Sequence, residues 1–74
     1  MTEVYVVTYF SLGECCSCVC DIDNKRAAST LARTKSKQSG HYSQIWRSRG
    51  FWRDGNFVSV ESTNVAIYEN GKKR

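Results

Sequence analysis

The chain has 74 residues, 41% of them hydrophobic and 12% aromatic, and a formal net charge of +4 at pH 7. This composition is typical of a folded chain rather than a disordered one, and the length fits one small domain over residues 1–74 with a thin core. No apolar run approaches the roughly 20 residues of a membrane span and no secretory signal is visible, so we expect a cytoplasmic protein without membrane contact.

The N-terminal part of the chain predicts two strands joined by a turn. Residues 4–10 (VYVVTYF) are dense in β-branched and aromatic side chains, which favours a strand. Residues 11–13 predict a turn, and residues 14–22 predict a second strand. Alternate residues of this second strand share the face that we expect to meet the core: Cys16, Cys18, Cys20 and Ile22.

The four cysteines of the chain, Cys15 to Cys20, lie within six residues of one another on the second predicted strand. Strand residues two apart are separated by about 6.6 Å, near the upper limit of the Cα separation in a disulfide. Zinc ligation meets a similar objection, because Cys16 and Cys20 are about 13 Å apart on an extended strand. We interpret the cysteines as reduced, small hydrophobic residues and expect no metal or cofactor. Zinc binding, an intermolecular disulfide and redox sensing are the alternatives.

One helix is predicted to follow an N-cap at Asp23 or Asn24, to run to about Gln38 and to end at Gly40. At 100° per residue, one face is apolar and built mostly from alanine. This face consists of Ala27, Ala28, Leu31 and Ala32. Three basic residues lie almost opposite: Arg26, Arg33 and Lys37. Such a helix can dock closely on a sheet but buries little area.

After Gly40 the hydrophobic period returns to two, which predicts further strands. Residues 41–49 form the first of these, with Trp46 on one side and Arg47 and Arg49 on the other. Within residues 50–56, the pair Asp-Gly predicts a hairpin turn. Residues 57–61 predict a strand, residues 62–64 a turn and residues 65–69 the last strand. The basic tail over residues 72–74 is expected to be frayed.

These elements predict an α+β domain in the order β-β-α-β-β-β, with a single helix packed on a mostly antiparallel sheet. Nothing in the chain covers the second face of that sheet. Several aromatic residues must be distributed between the core and this open face: Tyr5, Tyr9, Trp46, Trp52 and Tyr68. An aromatic surface that stays open is a partner site or a homodimer interface.

The residues do not predict an enzyme. The single histidine, His41, lies in an expected turn, and the acidic residues are too scattered to form an acid–base pair. The chain contains no glycine-rich phosphate loop, nucleophile elbow or metal motif. Glu14 and Asp21 flank the cysteines, whereas a nucleophilic cysteine needs an electropositive setting. We therefore expect no catalytic residue.

A binding function is better supported, because charge is segregated along the chain. Between Asn24 and Arg53 there are eight basic residues and no acidic one, whereas residues 1–23 contain four acidic residues and no Lys or Arg. Arginine interleaved with aromatic residues suits a phosphate backbone, stacked bases or an acidic protein surface, and a solvated face that serves solubility is the alternative. The candidate binding residues are Arg26, Arg33, Lys35, Lys37, Trp46, Arg47, Arg49, Trp52 and Arg53.

The layout resembles the ninth family of the small anti-CRISPR proteins that phages deploy against type I-F effector complexes. The matching stretches are the opening strand EVYVV, the helix around RAASTLARTK, the Gly40-His41 turn and the ending NVAIYENGKKR. The likeness covers nearly the whole chain at low identity. Residues 47–60 and the cysteine cluster have no counterpart in the family's pattern.

The resemblance implies a phage or mobile-element protein that binds the backbone subunits of a bacterial effector complex and competes with target DNA. It places the family's basic helix residues approximately at Arg33, Lys35 and Lys37. We therefore expect a non-enzymatic inhibitor of a host nucleic-acid-targeting defence complex. The alternative is a small DNA- or RNA-binding accessory protein that uses the same Arg and Trp surface directly.

Overall fold

Five strands and one helix follow one another in the predicted order: β1 (Thr2–Ser11), β2 (Glu14–Asp21), α1 (Lys25–Ser39), β3 (Tyr42–Arg53), β4 (Asn56–Glu69) and β5 (Lys72–Lys73). In this computed structural model, which describes residues 1–74, the strands form one antiparallel sheet in the order β2-β1-β3-β4-β5. Helix α1 packs on one side of the sheet, so the predicted α+β class is confirmed.

Three of the four strand pairs are closed by two-residue turns of one kind. The turn residues are Leu12-Gly13, Asp54-Gly55 and Asn70-Gly71, and each turn has positive φ at both positions, between 50° and 81°. Such turns match the right-handed twist of the flanking strands, and glycine adopts the second position without a Cβ penalty. The turns predicted over residues 11–13 and at Asp-Gly are confirmed.

The prediction of a turn over residues 62–64 is wrong, because β4 runs unbroken from Asn56 to Glu69. The polar side chains that favoured a turn are satisfied across the β3–β4 ladder instead. Ser62 and Ser48 share a hydrogen bond between hydroxyls at 2.8 Å, and the Asn64 amide donates to Gln44 Oε1 at 2.9 Å. A register shift between Ile45 and Trp46 absorbs one extra residue of β4, so the strand bends rather than ends.

The C-terminal residues form a short strand rather than a frayed tail. Lys72 pairs with Glu69, Lys73 pairs with Tyr68, and the Arg74 N–H donates to the carbonyl of Ile67 at 2.8 Å. The turn geometry at Asn70-Gly71 explains this pairing, because it returns the chain alongside β4. The basic ending is therefore held at the β4 end of the sheet.

Helix α1 begins and ends as its sequence predicts. The Asn24 side chain accepts a hydrogen bond from the Ala27 N–H at 3.2 Å, and Gly40 is left-handed with its N–H donating to the Ser36 carbonyl at 3.1 Å. The core lies between α1 and the sheet and consists of Val7, Ala28, Ala32, Ile45 and Tyr68. Three cysteines lie half-buried on this same side of β2, as expected: Cys16, Cys18 and Cys20.

Candidate binding surfaces

The alternation of side chains along β3 divides the predicted site between the two sides of the sheet. Ile45 is 1% exposed and packs against the helix, so Arg47 and Arg49 lie on the helix side as well. Trp46 and Trp52, at even positions of the same strand, lie on the opposite side. We call that opposite side, which no helix covers, the helix-free face.

The Trp46 side chain is tied to the neighbouring strand on the helix-free face. Its indole N–H donates to Thr8 Oγ1 at 3.0 Å, and its backbone lies directly opposite Val6 in the β1–β3 ladder. The side chain is half-buried although no second layer of the fold lies over it. One edge of the ring is therefore satisfied by β1, and the rest forms part of the surface.

Trp52 lies further along β3 and is 53% exposed. Its ring meets Phe57 edge to face, with centroids 5.3 Å apart and an interplanar angle of 75°. Trp52 also lines a shallow depression on the same face, together with Val4 of β1 and Val19 of β2. Polar residues complete the lining of this depression, which lies beside the exposed indole: Thr2, Glu3 and Asp21.

A bend at Gly50 accompanies this placement of Trp52. The β3–β4 register shifts between Arg49 and Gly50, and a Cβ built on Gly50 would lie 1.9 Å from the Val58 carbonyl oxygen. The neighbouring backbone therefore occupies the space of a side chain at this position. Only glycine fits without moving β4, and the end of the hairpin changes direction there.

Strands β1 to β4 place no lysine or arginine on the helix-free face. Cations reach this side of the sheet only at one corner, with Lys72 and Arg74. The Arg74 guanidinium lies 4.8 Å from the centre of the Tyr42 ring and 3.9 Å from Glu69 Oε1. Its positive charge is therefore partly compensated by groups of the same chain. The part of the face around the two tryptophans therefore lacks cations, and the acidic residues of the face, Asp21 and Glu69, lie toward the two edges of the sheet.

The basic residues of the helix lie on the other side of the molecule. Arg26, Arg33 and Lys37 are exposed, and none of them forms an ion pair with an acidic residue. Arg33 lies 5.8 Å from the centre of the Tyr68 ring, and the Lys35 amine lies 5.0 Å from that of Tyr9. The two side chains flank the core while their charges stay at the surface.

Two of the predicted arginines are tied to an acidic residue of the neighbouring strand. Arg47 donates to Glu3 Oε2 at 2.9 Å, and Arg49 lies 3.7 Å from Glu3 Oε1. The hydrogen bond and charge of Arg47 hold the pKa of Glu3 below its ordinary value, and Glu3 raises the pKa of Arg47 in turn. Arg53, at the last position of β3, is exposed and forms no ion pair.

The nine candidate residues therefore do not form one surface. The expectation that a tryptophan stacks on bases beside phosphate-binding arginines does not fit this geometry, because the tryptophans and the cations lie on opposite sides of the sheet. The nine candidates do not include two aliphatic residues that lie on the helix-free face, Val4 and Val19. Their alternation with core residues on β1 and β2 is the signal that assigns them to it.

Three of the four cysteines, Cys16, Cys18 and Cys20, lie half-buried on the helix side of β2, whereas Cys15 is exposed on the helix-free face. Tyr9 Oη and Cys18 Sγ lie within hydrogen-bond distance at 3.4 Å, and this contact, with partial desolvation, raises the pKa of Tyr9 to about 12. Desolvation, followed by the charge of Cys18, raises the pKa of the Cys20 thiol. No group of three or more His, Cys, Asp or Glu side chains is placed to hold a metal ion.

Comparisons with known proteins do not identify a family for this chain, so a function has to be inferred from the contacts described above. Neither the protein-family models, nor the curated proteins, nor the solved structures yield a match to this chain. Its one helix falls short of the length and apolar character needed to cross a membrane.

Proposed function

We propose that this chain is a non-enzymatic binding protein that docks through its helix-free face on a protein partner. The observation that carries the proposal is the separation of Trp46 and Trp52 from every cation of β3 and α1. Tryptophan is among the residues most enriched in interface hot spots, and depletion of charge is typical of interface centres.

The same separation disfavours nucleic acid as the ligand of this face. Proteins that stack bases on aromatic side chains surround them with basic residues that follow the phosphate backbone. Here the depression beside Trp52 is bordered by Glu3 and Asp21, and the strands contribute no cation to it. Phosphates approaching this depression would meet the Asp21 carboxylate, and the Glu3 carboxylate is already paired with Arg47 on the helix side.

In its specific form, the proposal is that the partner is a host complex that binds nucleic acid and that docking inhibits it. This form rests on the resemblance to anti-CRISPR proteins of phages. It fits a small chain that exposes an indole beside a shallow depression.

Direct binding of DNA or RNA is the second candidate, and one observation favours it. Arg26, Arg33 and Lys37 are exposed on the outer side of α1 without acidic partners. Binding through them would follow the phosphate backbone and weaken steeply with salt. It would not involve Trp46 or Trp52, and this difference separates the two candidates.

The experiment compares Trp52→Ala with Arg33→Glu/Lys37→Glu in affinity capture from nuclease-treated bacterial lysate and with a purified type I-F effector complex. We expect Trp52→Ala to lose the captured complex and the block of DNA binding, while the double charge reversal retains both. Phe51→Ala is the matched control, because Phe51 is 46% exposed on the helix side of the same strand. Loss of binding on charge reversal alone, with recovery of nucleic acid, would refute docking by the helix-free face.

A further inference from the structure

The edge strand β2 leaves a row of backbone hydrogen-bonding groups unpaired. Strand β2 is the first strand of the sheet and pairs only with β1. Residues that flank a two-residue hairpin turn exchange both backbone hydrogen bonds, and the pairs alternate along the ladder from there. Because Ser11 and Glu14 flank the turn, the N–H and C=O groups of Cys15, Ser17 and Val19 point away from β1.

A contact at the end of β2 agrees with this assignment. By the same alternation, Asp21 turns its carbonyl away from β1, and that carbonyl accepts a hydrogen bond from the Asn24 N–H at 3.0 Å. The outward carbonyl of Asp21 is thus already hydrogen-bonded within the chain. Three consecutive outward positions remain open along the strand, which is the arrangement that an added strand requires.

Several devices that protect an edge strand are absent from β2, whose only charged residues are at its two ends. It contains no lysine, no proline and no register shift over its eight residues. Toward the opposite edge of the sheet, the pairing of β4 with β3 has two register shifts, and β5 pairs with the end of β4. Natural proteins blunt exposed edges with such features, so an unprotected edge is a pairing surface.

The charge of this edge selects its occupant. Glu14 and Asp21 mark the two ends of β2, Asp23 follows, and all three are exposed. No lysine or arginine occurs before Lys25. A second copy of the chain would bring another acidic edge against the first, whereas a strand with a cation near each end would pair opposite charges.

We propose that the β2 edge accepts an extended, basic segment of a partner protein as a sixth strand. The backbone groups of Cys15, Ser17 and Val19 hold the segment, and Glu14 and Asp21 attract its flanking Lys or Arg side chains. This surface adjoins the helix-free face, because Val19 and Asp21 also line the depression beside Trp52. It binds through backbone groups of β2, however, so the inference does not depend on the docking role of Trp52.

The test is an NMR titration of the isotope-labelled protein with the synthetic peptide KTVSVTVK and its acidic counterpart ETVSVTVE. We expect saturable shifts at the amides of Cys15, Ser17 and Val19 with the basic peptide, and binding of the acidic one weaker by roughly tenfold. Equal binding of both peptides would refute the charge selection. Shifts confined to the indoles of Trp46 and Trp52 would refute the edge as the site.

Two variants test the backbone and the charges separately. Ser17→Pro removes an outward N–H that β1 does not use, so the fold is retained and binding falls by about tenfold or more, while Ser17→Ala binds as the parent. Glu14→Lys/Asp21→Lys should reverse the preference to the acidic peptide. Undiminished binding by Ser17→Pro would overturn the proposal. So would concentration-dependent broadening of the β2 amides without peptide, because a second copy would then occupy the edge.

Discussion

The two sides of the sheet differ in whether another layer of the fold covers them. On the helix side, Ala28 and Ala32 let α1 approach closely, and Val7 and Ile45 are removed from solvent. On the helix-free face, larger side chains such as Trp46 and Trp52 remain at the surface. Two alanines thus bring the helix close to the sheet on one side, whereas both tryptophans lie on the side that no helix covers. The buried core and the proposed docking surface therefore lie on opposite sides of a single sheet.

The largest expected difference between the two sides is in the free energy of unfolding. Ile45→Ala removes a fully buried side chain and should cost about 2–4 kcal/mol, whereas Trp52→Ala should cost less than about 1 kcal/mol because the ring is half in solvent. Denaturant unfolding of both variants measures this. A comparable cost for Trp52→Ala would make it a core residue and remove it from the proposed docking surface.

A smaller difference is expected between two serines that are both 0% exposed. Ser36 Oγ donates to the Arg33 carbonyl and accepts from the Gly71 N–H, each at 2.9 Å, whereas Ser43 Oγ has no partner. Ser36→Ala should therefore cost about 1–2 kcal/mol and Ser43→Ala nothing or a slight gain. Thermal unfolding of the pair tests this, and equal costs would mean that Ser36 does not join α1 to the β4–β5 turn.

The smallest effect concerns the ion pair beside the helix. The pKa of Glu3 is lowered in the folded state, so its stabilising contribution is present above the ordinary value of 4.5 and is lost as the pH falls through the lower folded value. Glu3→Gln should flatten this acid limb of a plot of melting temperature against pH. The control is Glu61→Gln, whose carboxylate forms no ion pair. An unchanged acid limb in Glu3→Gln would show that the pair contributes nothing.

The sequence carries enough local signal to predict the order of the elements, the helix caps and two of the turns. Asn24, Gly40 and the Asp-Gly pair act through their own backbone geometry, so they can be read without knowing the rest of the fold. The segment around Asn64 could not be read in this way. Its polar side chains are satisfied by partners on β3 that only the tertiary structure brings near.

The candidate site was predictable in part for the same reason. Alternation predicts from the sequence alone that Trp46 and Arg47 lie on opposite faces of their strand. The burial of Ile45 then shows which of the two faces the helix covers. The side of Trp52 depends on β3 continuing through Gly50, where the expected strand had already ended at residue 49. Position along the sequence groups these residues together, whereas the pleat of the sheet separates them.

The repeated turn geometry of the hairpins has a consequence for how the chain reaches this fold. Strand pairs β1–β2, β3–β4 and β4–β5 each form between segments separated by only two residues. Only β1–β3 joins distant parts of the chain, for example Val7 with Ile45. Local hairpins close quickly, whereas a long loop must lose entropy before its contacts form. We therefore expect the meeting of β1 with β3, with α1 closing over it, to be the slow step of folding.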